Sequence, residues 1–138
     1  MTVTECVKEW LGTYEGLDLD VDVSFISGDN DTYAIYKQPN RNEVPYNDGS
    51  KLITDYFQFF ARQSTQIKEN MTENEQFLDD LENWVEEKNF NEEYPELFKA
   101  GKLECQDIGI SSTATIISQE EDSAIYQLII AIQYLKER

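Results

Sequence analysis

The sequence has 138 residues, the length of one domain, and its 28 acidic and 11 basic residues give a formal net charge of −17. This charge argues against nucleic-acid binding, which depends on lysine and arginine side chains that neutralise phosphates. The chain contains no histidine, which excludes catalytic arrangements built on a histidine base and removes the commonest metal ligand.

The first predicted element is an amphipathic helix at the N-terminus. Thr2 and Glu5 form a T-x-x-E capping box. Apolar residues follow at the spacing of one helix face: Val3, Cys6, Val7, Trp10, Leu11 and Tyr14. The stretch lacks the layout of a signal peptide, and no apolar run of the chain is long enough to cross a bilayer. We therefore expect an intracellular protein without membrane contact.

Residues 17–39 are predicted to form a β-hairpin. In LDLDVDVSFI, apolar residues alternate with Asp18, Asp20 and Asp22. SGDND then supplies a turn, and TYAIYKQP returns as a strand that Pro39 ends. Three carboxylates on one strand face are compatible with a calcium ion, but no calcium-loop pattern follows them. We interpret them as a solvated strand face and expect neither metal nor cofactor.

The segment DGSKLITDYFQFFARQS, residues 48–64, fits either a helix or a strand. The helical pattern consists of Leu52, Ile53, Tyr56, Phe57 and Phe60. The strand pattern consists of Ile53, Phe57, Phe59 and Ala61, with Asp55 interrupting that face. Periodicity does not decide between them. Because the polar loop of residues 40–50 precedes the segment and β-prone residues dominate it, we predict a strand from Lys51 to Gln63.

Both faces of this strand carry aromatic residues, which predicts a central position in the sheet. The face of Ile53 and Phe57 should pack under a helix. On the opposite face, Leu52, Tyr56 and Phe60 also need cover, and we expect a neighbouring subunit to supply it. These three residues are the predicted assembly interface.

A second helix is predicted to begin with the capping box of Thr72 and Glu75 and to end near Asn89. Its carboxylates are expected to lie in water, opposite its apolar stripe, which argues against a desolvated acid–base pair. The carboxylates concerned are Glu82, Glu86 and Glu87.

The last part of the chain is predicted to be a long hairpin. Residues 103–118 and 123–135 flank the turn QEED, and the hydroxyl-rich SSTAT stretch marks a polar face or a bulge. The order of elements predicts a single α+β domain over residues 1–138, a mainly antiparallel sheet of about five strands packed by two helices.

Several short stretches resemble a known family: YNDGS at Tyr46–Ser50, LENWVEEKN at Leu81–Asn89, EDSAIYQL at Glu121–Leu128, and before the last of these KLE at Lys102–Glu104 and Gly109. In this order they resemble the minor capsid proteins of tailed bacteriophages of Gram-positive hosts, a family similar to tail-terminator and tail-completion proteins. The resemblance extends from about Thr32 to Tyr134.

This resemblance implies a structural viral protein of the virion, made in the bacterial host cytoplasm, and not an enzyme. It implies a homo-oligomer, often a hexameric ring, that caps the tail tube and joins it to other tail and head-completion proteins. An acidic strand face at Asp18, Asp20 and Asp22 would then either line a DNA passage or serve solubility alone. The alternative is a free acidic regulator or inhibitor that binds a basic protein and mimics DNA.

Overall fold

The computed structural model describes residues 1–14, 32–64, 68–121 and 123–138. Their elements are α1 (Val3–Leu11), β1 (Thr32–Pro45), β2 (Lys51–Ser64), α2 (Lys68–Phe90), a short 3₁₀ helix (Leu97–Ala100), β3 (Leu103–Gln119) and β4 (Ser123–Lys136). The strands form an antiparallel sheet in the order β1-β2-β4-β3. The α+β class predicted from the sequence is confirmed.

The described residues form four strands, where about five were predicted. The strand predicted within residues 17–26, together with Asp18, Asp20 and Asp22, lies outside the described residues. Helix α2 begins at Lys68, four residues before the predicted capping box, and ends at Phe90, close to the predicted end.

Helix α1 confirms the predicted N-terminal element. The Glu5 amide donates to Thr2 Oγ1 at 3.1 Å, and the Thr2 amide donates to Glu5 Oε1 at 3.2 Å, so both bonds of the capping box form. These bonds satisfy amides that have no partner within the helix. The apolar side of α1 is buried through Cys6, Val7, Trp10 and Leu11.

The prediction that Pro39 ends β1 is wrong, as is the prediction of a loop over residues 40–50. Strand β1 continues to Pro45, and the turn covers only residues 46–50. Among the described strands β1 lies at the sheet edge, and its register shifts between Lys37 and Arg41. Proline is tolerated at an edge or a bulge because its missing N–H removes no ladder bond there.

Strand β2 confirms the strand interpretation of the ambiguous segment. It pairs with β1 on one side and β4 on the other, so it is central as predicted. Ile53, Phe57, Phe59 and Ala61 are all buried on the face toward the helices.

The final hairpin is confirmed as well. Strand β4 alternates between buried and half-buried residues along its length, and β3 shifts register on both sides of Ser112, within the hydroxyl-rich stretch.

Aromatic rings join the two helices to each other, and Tyr33 of β1 joins the sheet to α2 through Phe77, 5.6 Å away between ring centroids. Trp10 of α1 lies 4.7 Å from Trp84 of α2 between ring centroids, and its Nε1 donates to the Glu93 carbonyl at 2.8 Å. Tyr33 of β1 lies 5.9 Å from Phe59 of β2. Such pairs contribute about 0.5–1.5 kcal/mol each beyond the area they bury.

In the described parts of the chain, no helix combines the length and apolar character that crossing a membrane requires.

Candidate functional site

The helices cover one face of the sheet, and the described residues leave the other face without a covering layer. We call the outward residues of the two central strands the open face. It consists of Leu52, Thr54, Tyr56, Gln58, Phe60 and Arg62 of β2, with Ile125, Gln127, Ile129, Ala131, Gln133 and Leu135 of β4. Each of these residues is half-buried, whereas the alternate residues of both strands are nearly all fully buried.

The open face carries no carboxylate among its own residues, although 28 of the 138 residues of the chain are acidic. On the neighbouring strand β3, Glu104 pairs with Leu135 and Asp107 with Gln133, so these two acidic residues border the open face. Its one charged member is Arg62, whose Nη2 donates to Glu120 Oε2 at 2.9 Å. The remaining members are aliphatic, aromatic, amide or hydroxyl side chains. Depletion of charge is the compositional feature that distinguishes the core of a protein–protein interface from the rest of a surface.

The structure places the three predicted interface residues on this face. Leu52 pairs with Leu135 and Tyr56 with Ala131, so both stand beside small or aliphatic neighbours. Phe60 contacts Tyr36 of β1 edge-on, with 5.5 Å between ring centroids. All three side chains are only half-buried within one chain, so part of their apolar surface is available for contact with a second subunit.

An apolar cleft of about 370 Å³ crosses one end of the open face. Its lining comes from all four strands: Tyr36, Gln58, Phe60, Ile117 and Ile125. Ile117 is 50% exposed. Of these residues the sequence singled out Phe60 alone for the interface. The alternation of β4 could have indicated Ile125, because Ala124 and Tyr126 on either side of it belong to the opposite, buried face.

The opposite face of the sheet holds a buried charged cluster around Asp55. Arg41 donates to this carboxylate through Nε at 2.8 Å and Nη2 at 2.9 Å, and the Tyr134 hydroxyl donates at 2.6 Å. Lys37 Nζ lies 3.5 Å from Asp55 Oδ2. Burial raises the pKa of Asp55, but the hydrogen bonds from Arg41 and Tyr134 outweigh it and leave the pKa below its ordinary value.

This cluster ties β1, β2 and β4 together and leaves Asp55 fully paired. A carboxylate that acts as a general acid or base near neutral pH needs a pKa displaced toward neutrality and room for a substrate. Asp55 has a lowered pKa and is completely buried. We therefore assign the cluster a structural role. The only sequence signal for it was the interruption of an apolar strand face by one aspartate.

The expectation that Glu82 lies in water is wrong. Its side chain is half-buried, and its carboxylate accepts a hydrogen bond from the Ala114 amide of β3 at 3.1 Å. Burial raises the pKa of Glu82, and the nearby charges of Asp79 and Glu86 raise it further. Glu86 is exposed as expected, and so is Glu87.

Comparison with models of protein families gives no match, and comparison with curated protein sequences gives none either. Within the described ranges, no group of three or more histidine, cysteine, aspartate or glutamate residues is arranged to hold a metal ion. The open face is therefore the feature of the described chain from which function is inferred.

Proposed function

We propose that this protein is a structural virion protein of a tailed phage, a tail terminator or head–tail joining protein, which assembles as a ring that caps the tail tube. Two arguments support the proposal. The first is the resemblance of its short stretches to minor capsid proteins. The second, which carries it, is the carboxylate-free open face on a chain of net charge −17.

Electrostatics explains why such a face suits self-assembly. Two copies that each carry a charge of −17 repel one another, and opposing carboxylates at a contact would add to that repulsion. A contact between faces with apolar and amide side chains brings no carboxylates close together. Burial of its apolar surface then favours association. A basic partner, in contrast, would bind most strongly to the acidic surfaces elsewhere on the chain.

A ring also requires a second, different patch on each subunit, because heterologous contacts join unlike surfaces. Exposed apolar side chains of the helical elements are the candidates for this second contact. Phe90 at the end of α2 is 87% exposed, and Phe98 in the 3₁₀ helix is 66% exposed. In the proposed ring, the open face of one subunit contacts the helix side of the next.

The decisive variant is Tyr56→Asp, which places a carboxylate at the centre of the open face. We expect wild-type protein to sediment as an oligomer of its 16.1 kDa chain, and the variant to remain a monomer with a nearly unchanged thermal unfolding curve. Asn40→Asp is the matched control, because it adds the same charge on the exposed bulge of β1.

Two results would contradict the proposal. One is wild-type protein that stays monomeric at every concentration. The other is a Tyr56→Asp variant that forms rings as the wild type does. A monomer that forms a salt-sensitive one-to-one complex with a basic protein would favour the acidic regulator instead.

A further inference from the structure

A pocket of about 260 Å³ lies on the helix side of the sheet, between α2 and β3. We call it the carboxylate pocket. Its lining consists of Glu75, Leu78 and Asp79 of α2, Ala114, Thr115 and Ile116 of β3, and Tyr126 of β4. Leu78, Ala114 and Ile116 supply its aliphatic surface, and the exposed residues Glu75 and Asp79 place two carboxylates one helical turn apart beside them. It shares no residue with the open face.

Tyr126 gives this pocket an unmet hydrogen-bonding group. The side chain is 3% exposed, and its buried hydroxyl has no hydrogen-bond partner among the described residues. The buried Oε1 of Gln63 is likewise unpartnered, and Gln63 lies two positions from Ala61, which pairs with Tyr126 in the sheet. A buried polar atom without a partner is costly, and a tyrosine hydroxyl can accept a hydrogen bond from a ligand in the pocket that it lines.

The charge around the pocket indicates what kind of donor such a ligand would carry. Glu75 and Asp79 are four residues apart on α2, where like charges repel. Glu82 continues the same acidic row and is itself half-buried. A cationic donor would satisfy the unpaired hydroxyl and relieve the repulsion between the carboxylates.

We propose that the carboxylate pocket binds a primary alkylammonium group, of the kind that a lysine side chain carries. Its three N–H donors pair with the Tyr126 hydroxyl and with the carboxylates of Glu75 and Asp79. Its alkyl stem contacts the apolar walls formed by Leu78, Ala114 and Ile116. This binding is independent of the proposed ring, since the open face takes no part in it.

The probe is Nα-acetyl-lysine methylamide, titrated at low salt and followed by amide chemical shifts. Shifts centred on Glu75, Asp79 and Thr115 are expected, and the norleucine analogue, which has the same backbone and an apolar stem without charge, should cause none. Competition by butane-1,4-diamine would identify free amines as ligands. Its failure to compete would assign the pocket to lysine within a peptide. Equal binding of the arginine analogue would overturn the selectivity for ammonium.

Tyr126→Phe separates a binding role from a structural one. Because the variant removes only an unpaired buried hydroxyl, its thermal stability should equal or exceed that of the wild type. Its affinity for the lysine probe should fall about tenfold, the worth of a hydrogen bond to a charged group. A stability loss together with unchanged affinity would overturn the proposal.

Asp79→Asn tests whether the attraction is local. It should weaken probe binding several-fold, whereas Asp80→Asn changes the same charge one residue away, on a side chain that bonds Gln76 at 2.8 Å outside the pocket lining. Equal losses in both variants would show that the probe responds only to the overall negative charge, and the pocket would then have no specific role.

Discussion

Arg41 of β1 donates two hydrogen bonds to the carboxylate of Asp55 on the neighbouring strand β2, at 2.8 and 2.9 Å. Asp55 is completely buried, and 30% of the Arg41 side chain is exposed. The arginine therefore holds the only buried carboxylate among the described residues, from a position near the surface. We therefore expect the stability of the fold to depend on that contact.

Arg41→Ala should destabilise the fold strongly, because it leaves a buried carboxylate without its main partner. Breaking a buried ion pair in this way costs about 3–5 kcal/mol of unfolding free energy. Lys51→Ala is the control, because Lys51 pairs with Glu43 at the surface, 3.7 Å apart, and exposed pairs contribute at most about 1 kcal/mol. Urea denaturation of both variants measures the difference, and equal small losses would refute the importance of the Arg41–Asp55 contact.

The same contact makes stability depend on acid. The pKa of Asp55 is lowered in the folded state relative to its ordinary value of 3.8. The ionised carboxylate therefore contributes stability above about pH 4, and that contribution is lost as pH falls through the folded pKa. The stability difference between the wild type and Asp55→Asn should be largest at neutral pH and shrink below pH 4. A difference that stays constant down to pH 2 would contradict the linkage.

Glu82 is expected to show the opposite behaviour. Its pKa is raised in the folded state, so its charge opposes folding at neutral pH, and stability is regained as pH falls through the raised value. Glu82→Gln keeps an oxygen for the Ala114 amide and removes the charge. It should stabilise the protein by about 0.5 kcal/mol at pH 7, the scale of like-charge repulsion on a helix. Glu87→Gln, at an exposed position, is the control, and a destabilised Glu82→Gln would be the contrary result.

Phe59 and Phe60 are adjacent residues on opposite faces of β2. Phe59 is fully buried, so Phe59→Ala should cost about 3–5 kcal/mol of unfolding free energy. Phe60 is half-buried on the open face, and Phe60→Ala should cost much less stability while shifting the proposed oligomer toward monomer. Denaturation and sedimentation of the two variants test this, and a Phe60→Ala variant that assembles normally would count against the open face as an interface.

Local patterns predicted those elements whose signal lies within one segment. Three examples are the capping box of Thr2 and Glu5, the β-prone residues of β2 and the alternation along β4. Each pattern involves only residues that are close together in the sequence. The features that these local patterns did not predict depend on residues that are distant in the sequence. Pro39 is tolerated because β1 lies at an edge among the described strands, and edge position is a property of the whole sheet.

The same limit applied to the candidate sites. Leu52, Tyr56 and Phe60 were predicted to share a face because strand parity is local. The twelve-residue open face without carboxylates exists because β4 pairs with β2, and strand parity does not predict that pairing. The burial of Glu82 likewise depends on β3, which begins more than ten residues after α2 ends.

The bulge around Pro39 has a consequence for how copies of this chain can join. A regular outer strand is a template for amyloid-like polymerisation, in which each added chain extends the sheet by its backbone bonds. Pro39 and its register shift interrupt that template in β1, and β3 at the other side has four register shifts of its own. Among the described strands, neither border of the sheet offers an uninterrupted ladder. Growth along the described edges is therefore disfavoured, and in the proposed ring the copies would contact one another through side chains on the faces of the sheet.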